Sequence, residues 1–214
     1  YDTNDNLIPG GRYHNFKDFI NFPVLGKPDL IYKQIQPIPH PDLPPNVSVL
    51  NKVREKDMLL HLPYHSFDHV IDLLREAAID PNVVSIKITM YRLAQRSKII
   101  NALINAMKNG KSVTVVMELQ ARFDEEANIN WSNRLREEGA KVIFGVQGLK
   151  VHSKMILIRR KEKSRLVNYC AISTGNFNES TSRFYTDHCL LTADNRITNE
   201  IDKVFKLIKE FKIF

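Results

Sequence analysis

His152 and Lys154, in the segment LKVHSKMILI, form the pair in this 214-residue chain best suited to chemistry on a phosphate. Two positions apart on a strand, they are expected to project from one face while Val151, Ser153 and Met155 point the other way. An uncharged imidazole nitrogen is a nucleophile, and a fixed ammonium beside it binds incoming phosphate oxygens and disfavours ring protonation. A second segment, STGNFNES (173–180), directly follows a strand-like run. Its Thr174, Gly175 and Asn176 offer a tight turn, backbone N–H groups and an amide suited to an anion. Two arginines complete the set: Arg92 in TMYR and Arg122 in LQARFDEE. Each follows a buried-strand pattern and precedes a helical one, where α/β sheets bind ligands, and guanidinium forks match phosphate oxygens two at a time.

Other polar clusters are weighed against these. His61, His65 and His69 recur every four residues, but Pro63 interrupts any single helix face and no cysteine joins them, which argues against a zinc site. The run RRKEKSR (159–165) lies between two strand patterns, so a solvated hairpin turn is favoured over a nucleic-acid patch. DEEAN (124–128) is better explained by an acidic first helical turn than by paired catalytic acids. Tyr185 is by default a buried aromatic, and Asp187 either orients a histidine or forms an ion pair.

The elements that must hold these residues follow from punctuation and periodicity. All ten prolines lie at or before Pro81, and five crowd Pro37 to Pro45, so IQPIPHPDLPP is expected to be an extended connector. Residues 1–42 then comprise the tail of a preceding domain plus this connector, and residues 43–214 the compact domain. MLLHLP (58–63) reads as a strand, Ser66 as the cap of a helix reaching about Ile79, and VVSIKITM (83–90) as a second strand. Ser97 caps a helix ended by Gly110, SVTVVMEL (112–119) is a strand, and a helix opened by Asp124 closes at Gly139. KVIFG, VHSKMILI, LVNYCAIS and DHCLLTA follow as strands, then a final amphipathic helix with Ile201, Val204, Phe205 and Ile208 on one face. The alternation predicts an α/β fold whose mixed, mostly parallel sheet is flanked by helices on both faces.

Composition narrows the setting. No apolar run is long enough to span a bilayer, and the polar start YDTNDNLIPG lacks a secretory pattern. Cys170 and Cys189 sit in apolar stretches outside any CxxC, as expected of reduced thiols in a cytoplasmic protein. The net charge of +7 favours polyanionic partners, among them phosphate chains, nucleic acid or an anionic membrane surface. The first residue is not Met, so the chain is expected to be part of something longer.

Taken together, IPGGRYHNFKDF, DMLLHLPYHSFDHVIDLLREAA, SIKITMYRLA, NGKSVTVVMELQARFDEEANINW, GLKVHSKM, STGNFNES and RFYTDHCLLTAD resemble the polyphosphate kinase family, the histidine-phosphorylating type built from phospholipase D-like domains. The resemblance implies that His152 is the nucleophile that takes the terminal phosphate of ATP and passes it reversibly to polyphosphate, assisted by Lys154. It implies that Arg92 and Arg122 hold magnesium-bridged phosphates; a guanidinium has no lone pair, so contact with Mg²⁺ runs through the phosphate. Asn176 joins the phosphate-binding set, and Tyr185 matches the position that stacks on adenine. Further implied are a second phospholipase D-like domain, a homo-oligomer when full length, no nucleic-acid partner, and a cytoplasmic site or one peripheral to the inner membrane face. Two features depart from the pattern. Phospholipase D enzymes carry Asp where this chain has Arg159, which argues against phosphodiester hydrolysis. Only one HxK occurs, so little turnover is expected from these residues alone. The rival readings are a phospholipase D-type phosphodiesterase or nuclease, and a non-catalytic polyanion-binding module whose binding falls with salt.

Overall fold

The computed structural model describes residues 19, 22–23, 25–33, 36–92, 94, 97–118, 125–146 and 148–210. The chain divides into two units, Tyr1–Ile35 and Gln36–Phe214. In the first, Pro28–Leu30 make one 3-10 turn and the rings of Phe19 and Phe22 stack with centroids 6.2 Å apart.

The second unit runs α1 (Val49–Glu55), β1 (Met58–Leu62), α2 (Asp68–Ile79), β2 (Val83–Met90), α3 (Lys98–Lys108), β3 (Ser112–Met117) and α4 (Glu125–Glu137). It continues with β4 (Lys141–Phe144), β5 (Lys154–Glu162), β6 (Arg165–Ser173), β7 (Asp187–Thr192) and α5 (Asn195–Glu210). The strands form one seven-stranded sheet in the order β1-β7-β6-β5-β2-β3-β4. Mixed it is, but mostly parallel it is not. Only β2–β3 and β3–β4 pair in parallel, whereas β1–β7, β6–β7, β5–β6 and β2–β5 are antiparallel. The physical reason is the connections. A parallel pair needs a long crossover, usually a helix, and the chain supplies these only up to β4. After that, β5 turns into β6 through Lys163, which holds φ +52°, with Glu162 opposite Arg165.

Alternating strand residues feed two cores. Ile86, Ile88, Val113, Val115, Ile156, Ile158, Tyr169 and Ala171 pack against the side of α1, α2 and α3, where Leu74 and Leu103 are fully buried. Leu135 of α4 joins that side, and each such leucine contributes about 1.5–3 kcal/mol by burial. Val116, Ile143, Met155, Leu157 and Cys170 face the other way, under Phe205 and Ile208 of α5. Helices thus cover both faces. Val204, expected on the buried stripe of α5, lies at its rim at 36% exposure, while Asp202 is buried in its place. Asp202 is held there by Lys87 (2.8 Å), Lys206 (2.9 Å) and Arg159 (3.0 Å). Burial would raise its pKa, but these cations outweigh that and hold it at about 2.

Glutamates brought from other elements reinforce two of the helix starts. Ser48 caps α1 by accepting from Asn51 N–H, and Glu76 of α2 accepts from Val49 N–H at 2.7 Å. Ser97 caps α3 as expected, accepting from Ile100 N–H, while Glu179 accepts from the Ser97 hydroxyl and Ile99 N–H, both at 3.1 Å. Phe67, not Ser66, occupies the cap position of α2, although the Ser66 hydroxyl still accepts from Asp68 N–H. The proline-rich stretch, expected to be extended throughout, turns at Pro41–Asp42 and Pro45–Asn46, where proline's fixed φ suits a turn as well as a strand, and is pinned to the body. Ile38 exchanges backbone hydrogen bonds with Tyr64 and Ser66, and His40 N–H donates to His69 Nε2 at 2.9 Å.

Candidate active site

Antiparallel pairing across the β2/β5 seam gathers chain from both halves of the sheet at one edge. Met90 closes β2 there, Lys154 opens β5, Ser173 closes β6 opposite it, and Asp187 opens β7. Tyr91 and Arg92 follow β2, and Glu118 follows β3. Arg92, His152, Lys154, Asn176 and Tyr185 therefore lie at or just beyond strand ends on the same side of the sheet.

His152 is not on the strand. The ladder stops at Lys154 because the Thr89 hydroxyl donates to Ser153 O at 2.6 Å and accepts from Met155 N–H at 2.9 Å, taking bonds a neighbouring strand would have made. The expected alternation fails with it: His152 and Ser153 are both exposed, whereas Val151, Lys154 and Met155 are buried. His152 and Lys154 are joined instead through the backbone, the Lys154 ammonium donating to His152 O at 2.5 Å. That ammonium also lies 5.6 Å from the Tyr91 ring centroid. Burial lowers the Lys154 pKa, against an opposing pull from Asp187. Among the described residues, no carboxylate stands within 4.0 Å of its nitrogen.

Arg92 is half-buried, its guanidinium carbon 5.9 Å from the Tyr91 centroid, and its carbonyl accepts from Asn178 Nδ2. Asn178 and Glu179 thereby tie the 173–180 loop to both the Arg92 segment and the start of α3. Within that loop the Asn176 amide oxygen is buried with no hydrogen-bond partner among the described residues. A Cβ at Gly175 would meet the Asp187 carboxylate, so a side chain there would displace it. Asp187 accepts from the Thr174 hydroxyl at 2.7 Å and so fixes the turn; among the described residues it forms no ion pair with a histidine ring. Tyr185 is 58% exposed, not buried, and leans on the exposed Phe184 ring at 4.8 Å. Arg122 and Asp124 lie outside the described residues.

Several supports were not foreseen from the sequence. Asn128, fully buried in α4, donates through Nδ2 to Tyr91 O and Glu118 O, each at 3.0 Å, and so clamps the ends of β2 and β3 together. Glu118 accepts from Val151 N–H at 2.9 Å, which anchors the approach to His152. Tyr91 adjoins Arg92 at a strand end, the one signal that would have found it. The histidine cluster is occupied by internal bonds: His65 Nδ1 accepts from His61 N–H, and His69 Nε2 from His40 N–H.

No three His, Cys, Asp or Glu side chains among the described residues converge on a metal position. A site built from Lys154 and Arg92 does not fit direct Mg²⁺ ligation, since neither side chain offers a lone pair. What it can do is bind an anion beside a solvent-facing imidazole.

A family profile for the polyphosphate kinase C-terminal domain 1 matches residues 48–213. The chain is 56% identical over 207 residues to polyphosphate kinase of Escherichia coli (strain K12), covering 96% of this chain and 30% of that protein. Against polyphosphate kinase of Vibrio vulnificus (strain YJ016) it is 54% identical over 204 residues, 95% of this chain and 29% of that one. The crystal structure of polyphosphate kinase from Porphyromonas gingivalis superposes with a TM-score of 0.77 at 40% identity, covering 95% of this chain and 34% of that chain. The phospholipase D family member Nuc from Salmonella typhimurium superposes at a TM-score of 0.55 and 15% identity, covering 72% of this chain and 92% of that one, which shows a shared fold alone. The chain spans about 30% of the length of the curated relatives it matches. It belongs to the polyphosphate kinase family, as that family's C-terminal domain 1 with the residues just before it.

Proposed function

We propose that the whole protein is an ATP:polyphosphate phosphotransferase and that His152 carries the phosphoryl group between its substrates. The observation that carries this reading is an exposed imidazole whose own carbonyl anchors a buried ammonium that no carboxylate among the described residues approaches within 4.0 Å. A ring nitrogen of His152 attacks the γ-phosphorus in line. The bond from that phosphorus to the β,γ-bridging oxygen breaks, and its electron pair leaves with ADP. A terminal oxygen of polyphosphate then attacks the phosphohistidine, the P–N bond breaks, and its electrons return to the ring. Lys154, Arg92, Arg122 and the Asn176 turn offset charge on the equatorial oxygens, where positioning and electrostatics supply most of the acceleration. Tyr185, exposed beside this loop, stacks on the adenine. Mg²⁺ enters as part of the nucleotide substrate, screening the phosphate charge. The second phospholipase D-like domain, absent from these residues, completes the site in a cytoplasmic homo-oligomer.

The phosphodiesterase alternative loses support at Arg159, which is engaged with Asp202 under α5 instead of standing beside His152. Incubating the full-length protein with γ-labelled ATP and Mg²⁺ tests the proposal. Acid-labile, base-stable label is expected on the peptide containing His152 and is lost in His152→Ala. Label on another residue, or undiminished label in His152→Ala, would falsify it.

A further inference from the structure

Tyr91 is a side chain on which three groups of the candidate site converge. Its ring meets the His152 imidazole edge-to-face, with centroids 5.4 Å apart and planes at 80°. The Lys154 ammonium lies 5.6 Å from the same centroid and the Arg92 guanidinium carbon 5.9 Å. The ring is itself anchored, because Asn128 Nδ2 holds the Tyr91 carbonyl and the strand β2 ends one residue earlier. An aromatic face attracts cations through its quadrupole yet carries no net charge. It can therefore hold two cations near a nucleophile without cancelling the field they present to a phosphate, as a carboxylate in its place would. The edge-to-face contact also restricts rotation of an imidazole that is otherwise exposed on the approach to β5.

We propose that Tyr91 is a positioning residue of phosphoryl transfer: its ring, not its hydroxyl, orients the His152 imidazole for in-line attack and seats Lys154 and Arg92 around it. The proposal rests on His152 being the nucleophile. Its predicted signature is a loss in rate at saturating nucleotide with little change in nucleotide affinity, since attack geometry is realised only as the bond forms.

Single-turnover transfer from γ-labelled MgATP, measured on the full-length protein, provides the test. Tyr91→Phe keeps the ring and should stay within about 3-fold of the wild type, while Tyr91→Leu should lower the rate constant of His152 labelling by about 10- to 100-fold, the scale expected of a misaimed group. The half-saturating MgATP concentration should move less than about 3-fold. Tyr91→Met, flexible and of similar reach, replaces the leucine variant if that one fails to fold. A parallel measurement needs no nucleotide: ethoxycarbonylation of His152 by diethylpyrocarbonate, followed by peptide mapping, should match the wild type in Tyr91→Phe and quicken in the ringless variant. A phenylalanine variant as slow as the leucine one would overturn the proposal in favour of the hydroxyl; so would ringless variants that are labelled and ethoxycarbonylated at wild-type rates. If the wild type gives no phosphohistidine while ethoxycarbonylation still depends on the ring, the assignment of His152 fails and the contact stands.

Discussion

The two ends of the sheet treat positive charge in opposite ways. At the end away from His152, Arg160 pairs with Asp80 at 2.7 Å and with Glu162 at 3.3 Å, and Arg54 reaches Glu162 at 3.2 Å. The Tyr169 hydroxyl also donates to Glu162, and burial and that carboxylate push its pKa up. Burial works against the Asp80 charge, but the Arg160 hydrogen bond helps hold its pKa below the usual carboxylate value. At the His152 end, Lys154 is left with a carbonyl and an aromatic ring. A cation matched by a carboxylate contributes to the fold but presents little field to a third party. A cation held by neutral acceptors keeps its field for a ligand. The paired end stabilises; at the other end the Lys154 ammonium keeps its field for an anion.

The sharpest way to break this comparison is Lys154→Met in the full-length protein. Labelling of His152 is expected to fall about 100-fold, as for loss of one donor to developing charge, with the thermal transition little lowered. A rate near that of the wild type would remove the distinction between the ends. Next in size, Arg160→Met should leave labelling within about 2-fold of normal. Its stability should drop by about 1–2 kcal/mol, between the values for exposed and buried pairs, read as a shift in the denaturant midpoint. Any specific loss of transfer there would show that the far end also acts on phosphate.

The smallest effect concerns pH. Burial, followed by His40 and His61, lowers the His65 pKa, and burial lowers that of His69 against Asp72 and Asp68, with His40 and His65 adding to the depression. A histidine whose folded pKa is depressed takes up more protons when unfolded. Its contribution is therefore full above the unfolded value of 6.5 and is lost as pH falls through the folded one. The denaturant midpoint should decline from pH 7.5 to pH 5.5, and less so in His69→Gln, whose amide oxygen can still accept from His40 N–H. A flat profile would mean that the proline-rich stretch is not held through that bond.

Much of this architecture was legible in one dimension. Ser97 was visible as a cap because a hydroxyl before an apolar-periodic run has few other uses. RRKEKSR, expected as a solvated turn, lies mostly in strands: residues 159–162 end β5, Arg165 opens β6, and Lys163 and Ser164 make the turn. The reason is that charges at a strand end can be paired, as Arg160 is by Asp80 and Glu162. Strand direction was not legible. The apolar run of β5 has the same composition whether it pairs parallel or antiparallel with β2, and only the absence of a helix between β5, β6 and β7 hinted at the answer. Tyr185 departs from the burial that is an aromatic's default, because hydrophobicity is local whereas exposure depends on what packs above.

The order of residues alone determined the chemistry on offer: which side chains can attack phosphorus, which can bind its oxygens, and which segments become helices and strands. Tertiary structure alone decided that Thr89 releases His152 from the ladder, that Asn128 clamps two strand ends, and that Tyr91 stands among the cations. Those contacts join residues tens of positions apart. No local pattern encodes them, because each depends on the register of strands that meet only after folding.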